Sequence, residues 1–225
     1  MQFRQELKYV ISEPERILLL RRLNGALAPD PYARPDGTYL VRTLYFDDLF
    51  STALRDAEEG APCRQKYRLR MYNGESGFLR LERKIKRMGA GAKPSATVSR
   101  AEADMLIRGD FAFLAEKSDP FLLRAYADAR SGALRPRRIL EYTRAAFVAG
   151  EDARVTVDSG IRVSERVCGF FDARLAGRPL SGRDGQCVLE IKYGDFLPGW
   201  LPELLGVGNR PRTAFSKFAG GAFYE

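Results

Sequence analysis

The chain has 225 residues, 45 % of them hydrophobic, and 37 Lys and Arg against 29 Asp and Glu leave a net charge of +8, which favours an anionic partner. It contains no histidine, which excludes the commonest general base, the Ser-His-Asp triad and every His-based metal site. Cys63, Cys168 and Cys187 stand far apart with no C-x-x-C pair, so a resident metal has to rest on oxygen ligands, which points to Mn²⁺ or Mg²⁺.

Residues 3–11 read as a strand, and Ser12-Glu13-Pro14-Glu15 opens a helix to about residue 27, with Ser12 as cap and Glu15 completing a capping box. Aromatic and β-branched content predicts a strand at 39–47, and a short polar helix follows at 49–59. Residues 64–72 and 78–87 read as a hairpin around Asn73-Gly74-Glu75-Ser76-Gly77, and 88–95 as a flexible glycine-rich loop. Ser99 caps a helix at 100–108, and Asp119-Pro120 starts another to about Arg130. Strands resume at 137–148, 153–158, 161–171 and 186–193, before an irregular tail with a short closing helix. Strands flank the helical insert and no linker divides the chain, so the expected fold is one α+β domain over 1–225 with mostly antiparallel strands. Its longest aliphatic run is Ile17–Leu20, so no membrane span or signal peptide is expected and the predicted setting is cytoplasmic.

An E-x-K triplet occurs on three predicted strands: Glu6-Leu7-Lys8, Glu82-Arg83-Lys84 and Glu190-Ile191-Lys192. Residues i and i+2 of a strand share a face, so each triplet sets a carboxylate beside an ammonium. Lys66, Arg68, Arg70 and Tyr72 share one face opposite Tyr67, Leu69 and Met71. Arg80, Glu82, Lys84 and Lys86 oppose Leu79, Leu81 and Ile85, and Arg154, Thr156 and Asp158 oppose Val155 and Val157. A solvated outer face is the ordinary explanation for any one strand. Five or six strands with dense cations, broken by carboxylates at a repeated offset, point instead to a wet interior offset by a bound polyanion with metal.

These stretches resemble the VTC-type polyphosphate polymerase domain of the triphosphate tunnel metalloenzymes, relatives of the CYTH phosphatases. The resemblance rests on Phe3–Tyr9, the Arg42–Asp48 run, Lys66–Arg70, Leu81–Lys84, Tyr142-Thr143-Arg144, Arg154–Asp158, Leu189–Tyr193 and Phe215–Phe218, in this order. It implies a closed eight-stranded antiparallel β-tunnel with helices outside and a triphosphate within. By position it implies phosphate contacts from Lys8, Arg68, Arg70, Lys84, Arg144, Arg154, Lys192 and Lys217, with Arg4, Lys66, Lys86 and Lys93 as further substrate-binding cations. Arginine suits this work because its planar fork takes two oxygens at once. Glu190 becomes the leading divalent-metal ligand, with Glu6 and Glu82 beside it, for Mn²⁺ or Mg²⁺. Asp158 either supports the metal or orients an arginine.

CYTH-type hydrolases resemble E-x-E-x-K at the first strand, whereas this chain has Arg4 at the first position. Exchanging a carboxylate for a cation leans toward transfer to phosphate over transfer to water, since a polyphosphate terminus is already an oxyanion. The implied activity is a metal-dependent polyphosphate polymerase moving the ATP γ-phosphate onto a growing chain. A triphosphate hydrolase on the same fold and a non-catalytic polyanion or RNA-binding module remain alternatives. Sequence-specific nucleic-acid recognition is not expected, and no G-x-x-x-x-G-K-[ST] or H-R-D motif is present. The family's fungal members carry an additional inositol-phosphate-sensing domain and membrane helices, which implies a membrane-protein partner encoded separately.

Overall fold

The computed structural model describes residues 5–88, 90–150, 152–180, 185–213 and 216–220. The chain alternates strand and helix: β1 (Gln5–Ser12), α1 (Glu13–Ala26), β2 (Ala28–Pro29), β3 (Thr38–Asp47), α2 (Thr52–Glu58), β4 (Cys63–Tyr72) and β5 (Glu75–Arg87). Then come β6 (Ala90–Ala92), β7 (Ser95–Val98), α3 (Arg100–Ile107), a 3₁₀ turn (Ala112–Glu116), α4 (Pro120–Gly132), β8 (Arg135–Ala149) and β9 (Ala153–Ser164). A second 3₁₀ turn (Val167–Phe171), β10 (Arg178–Pro179), β11 (Gln186–Tyr193), α5 (Trp200–Leu205) and α6 (Lys217–Gly220) complete the order.

Local chemistry accounts for most of these boundaries. Ser12 Oγ accepts from Glu15 N at 3.4 Å while the Glu15 carboxylate accepts from Ser12 N at 2.7 Å, so the expected capping box closes. Ser99 and Glu102 repeat the device at α3, and Asp119 caps α4 ahead of Pro120. Asn73 (φ 55°) and Gly74 (φ 76°) turn the β4–β5 hairpin in two residues, the left-handed pair that a tight hairpin demands. The second strand therefore begins at Glu75, three residues before the sequence predicts it.

The strands form one eleven-stranded sheet with path β1-β11-β9-β8-β3-β4-β5-β6; β2 pairs β8, β7 pairs β5 and β10 pairs β9. Antiparallel ladders join β1 to β11, β11 to β9, β3 to β4 and β4 to β5. The α+β class stands, but the expected closed eight-stranded sheet does not: among the described residues the path is open. The predicted flexible loop at 88–95 supplies the reason. It contributes to β6 and β7, which fold back onto β5 so that Leu79–Glu82 pair with Ser95–Val98 and Ile85–Arg87 with Ala90–Ala92. The outer edge of β5 is thereby taken by its own return strands. The predicted strands at 153–158 and 161–171 also merge and shorten into β9, with a 3₁₀ turn after it.

Two compact units emerge. The first gathers Met1–Leu40, Tyr142–Ile161 and Pro179–Phe215; the second gathers Val41–Glu141, Arg162–Arg178 and Ser216–Glu225. In the first, Tyr9, Ile11, Phe147, Val155, Val157, Leu189 and Ile191 pack with Leu19 and Leu23 of α1 and Leu201 and Leu205 of α5. In the second, Leu44, Phe46, Tyr67, Leu69, Met71, Leu79 and Leu81 pack with α3 and α4. Each such side chain contributes roughly 1.5–3 kcal/mol through burial. Apolar residues thus claim one face of each sheet segment and leave the alternate residues on the other.

Candidate functional site

In the first unit, the register sets Glu6 opposite Lys192 and Lys8 opposite Glu190, while Glu190 faces Thr156 and Lys192 faces Arg154. Lys8 Nζ lies 2.6 Å from Glu6 and 4.0 Å from Glu190, and Lys192 Nζ lies 2.6 Å from Glu190. Two E-x-K triplets running antiparallel in this register place each carboxylate across from an ammonium. Arg144 holds Asp158 through two bonds, Nε–Oδ1 at 2.6 Å and Nη2–Oδ2 at 2.8 Å. Arg154 is anchored by Asp30 and by the Tyr39 hydroxyl. Glu190 is 5 % exposed and Asp158 fully buried, so the solvated outer face that explains a single charged strand does not apply here. Burial lowers the Lys192 ammonium below its ordinary range although Glu190 and Glu6 oppose the shift. Burial also works against the Arg144 cation, but Asp158 prevails and raises it.

In the second unit, Glu82 is 1 % exposed and gathers three cations: Arg68 Nε at 2.7 Å, Lys93 Nζ at 3.0 Å and Arg70 Nη1 at 3.8 Å. Burial would raise its carboxyl, yet Arg68, Arg70 and Lys93 together bring it down to about 2. Arg70 also reaches Thr43 Oγ1 at 3.4 Å. Lys66 stands opposite Lys84 and donates to Ser216 Oγ at 3.2 Å. The Phe218 ring stacks on Tyr45 at 4.6 Å, with Lys66 Nζ 4.9 Å and Arg138 Cζ 5.9 Å from its centroid. Lys217, half-buried, opens α6 beside them in sequence. Lys86 stands opposite Arg64 and lines a separate cavity of about 400 Å³ with Asp47, Asp56, Arg83 and Asp128.

A family model, the VTC domain, matches residues 3–223. The chain belongs to the VTC domain family. Solved structures share its fold. A candidate adenylyl cyclase from Hippeastrum with a dominant triphosphatase activity aligns over 99 % of this chain and 95 % of its own, at 17 % identity and a TM-score of 0.61. A candidate adenylate cyclase from Bacillus halodurans aligns over 94 % and 92 %, at 13 % identity and a TM-score of 0.55. No curated protein is significantly similar in sequence.

This VTC domain brings Glu6, Lys8, Arg144, Arg154, Glu190 and Lys192 into one unit, and Lys66, Arg68, Arg70, Glu82, Lys84, Lys93 and Lys217 into the other. Arg4 lies outside the described residues. Among the described residues no three carboxylates or thiols cluster as a ready cation cage. Glu6 and Glu190 do converge on Lys8, and one or two carboxylates suffice for a hard divalent ion that arrives with phosphate oxygens. That pair would receive such an ion in competition with Lys8 and Lys192, each 2.6 Å from one of the carboxylates, whereas Glu82 is ringed by three cations.

Sequence reasoning passed over Asp30, Tyr39, Tyr45 and Arg138. Asp30 and Tyr39 carried no motif, since only tertiary packing delivers them to Arg154. Arg138 follows the even-numbered alternation of β8 through Tyr142 and Arg144 and could have been found by extending it. Arg42, part of the sequence resemblance, faces the helix-packed side and binds Glu141 and the Phe170 and Asp172 carbonyls. No helix among the described residues is long and apolar enough to cross a membrane.

Proposed function

We propose that this protein is a polyphosphate polymerase that transfers the γ-phosphate of ATP to the end of a growing polyphosphate chain. VTC family membership and the fold neighbours support a triphosphate- or polyphosphate-related activity. The observation that carries the finer reading is the state of the carboxylates. Glu6, Glu82, Glu190 and Asp158 each sit within ion-pair distance of a lysine or arginine, so none of the four stands ready as a base for water. Activating a water asks for a carboxylate free to take its proton. A terminal phosphate needs none, because its attacking oxygen is already ionised.

In this reading Arg144, Arg154 and Lys192 hold phosphate oxygens within the first unit, with Lys8 adding positive charge, and Arg68, Arg70, Lys84 and Lys217 do so within the second, with Lys66 and Lys93 adding positive charge. Pairing with buried carboxylates, Arg68 and Arg70 with Glu82, Arg144 with Asp158, Arg154 with Asp30 and Lys192 with Glu190, preorganises these cations before substrate arrives. The chain-end oxygen attacks the γ-phosphorus, the bond from that phosphorus to the β–γ bridging oxygen breaks, and ADP departs with the bridging oxygen. Glu190, with Glu6 beside it, would hold Mn²⁺ or Mg²⁺, which when bound neutralises phosphate charge.

The Hippeastrum neighbour's triphosphatase activity makes hydrolysis the second reading. Incubation with ATP and Mn²⁺ or Mg²⁺, followed by gel analysis, separates the two. Acid-labile chains with ADP are expected; ADP with free phosphate alone would establish the hydrolase, and no turnover would refute both. Displacement of bound tripolyphosphate by RNA at equal phosphate concentration would instead favour a polyanion-binding module.

A further inference from the structure

Arg154, Thr156 and Asp158 succeed one another on the polar face of β9. Thr156 is 2 % exposed, and among the described residues its hydroxyl makes no hydrogen bond. Arg154 Nε, one step along the same face, is itself buried and without a partner, although the side chain as a whole is 43 % exposed and Nη2 of that guanidinium is anchored by Asp30 and Tyr39. The groups around them are already engaged: Glu190, directly across on β11, holds Lys192, and Asp158 holds Arg144. Native interiors rarely leave polar atoms unmet, because each forfeits its hydration without recompense. Two such atoms on neighbouring positions of one face point to a partner that arrives from outside the chain.

The chemistry of the two atoms narrows that partner. A guanidinium N–H can only donate, whereas a threonine hydroxyl donates or accepts. A group serving both must therefore present acceptor oxygens, and a bare cation cannot. Lys192 opposite Arg154 adds positive charge, which favours an anion.

We infer that Thr156 Oγ1 and Arg154 Nε–H form a phosphate-oxygen subsite in which the threonine hydroxyl donates directly to the bound triphosphate or polyphosphate. This rests on the triphosphate reading above and adds to it a neutral contact that the E-x-K pattern does not reveal. A buried hydroxyl held in reserve for the ligand weakens the empty protein and strengthens the complex, so stability and affinity move in opposite directions when it is removed.

Thr156→Val keeps the branched shape without the hydroxyl, and Thr156→Ser restores it. Tripolyphosphate is titrated calorimetrically in chelator and again in Mg²⁺, and each ligand-free protein is melted. The valine variant is expected to bind roughly tenfold more weakly, the loss of one charge-assisted hydrogen bond, while melting at or slightly above the wild-type temperature. The serine variant is expected to retain wild-type affinity. Wild-type affinity in the valine variant overturns the subsite, as does weaker binding that comes with a lower ligand-free melting temperature or is not rescued by serine. Failure of the wild-type protein to bind in either buffer overturns the triphosphate reading itself.

Discussion

At Glu82, a carboxylate that water barely reaches meets Arg68 at 2.7 Å, Lys93 at 3.0 Å and Arg70 at 3.8 Å. Burial opposes its ionisation, the three cations outweigh burial, and the carboxyl falls from 4.5 to about 2. A depressed carboxylate contributes stability that is fully present above its unfolded pKa and is lost as pH falls through the folded one. The window here runs from about pH 4.5 down to about pH 2, and the contribution is on the order of 3 kcal/mol at most. Urea unfolding of the wild type should therefore weaken across that window more steeply than that of Glu82→Gln, and the two should converge near its acid end. Parallel pH profiles would show that Glu82 is not the carboxylate that matters there. The triplet containing Glu82 was visible in the sequence because its spacing is local. Asp30 as the anchor of Arg154 was not, because 124 positions separate them.

Elements whose boundaries depend on a few neighbouring residues were legible. Ser12 and Glu15 each accept the other's backbone N–H at the start of α1 and Pro14 has no N–H to satisfy, and no distant part of the chain is needed for that. Ser12→Ala should cost about 1 kcal/mol, read as a lower urea midpoint at unchanged denaturant slope, with tripolyphosphate affinity intact. A midpoint equal to wild type would mean that the cap adds nothing beyond what solvent supplies. β6 and β7 were not legible. Gly91, Ala92, Lys93 and Pro94 have little strand preference, and the segment becomes sheet only because β5 offers it an unpaired edge. The join across Ser159-Gly160 escaped notice for a related reason. Gly160 adopts φ 59°, accessible to glycine at little cost, so a residue that reads as a break serves as a twist within one strand.

The net charge of +8 acts on the molecule as a whole by drawing anions from solution. Salt screens that field over about 10 Å at 0.1 M and about 3 Å at 1 M. Tripolyphosphate affinity should accordingly drop roughly tenfold between 0.05 and 0.5 M NaCl, measured by titration, with the ligand-free melting temperature shifting little. An affinity indifferent to salt would contradict a collective electrostatic site.

Residue order by itself determined that apolar and charged side chains part onto opposite faces, since a strand alternates every residue whatever surrounds it. It likewise determined the antiparallel α+β character, the capped helices, and the signature shared with the VTC family. Only the tertiary structure decided that the charged face is buried, with Glu82, Asp158 and Glu190 almost wholly removed from solvent. Only pairing could decide which cation each carboxylate receives and that β5 spends its outer edge on its own return strands. Burial and strand pairing depend on groups far apart in the chain, and alternation along a strand specifies its two faces without specifying what covers them.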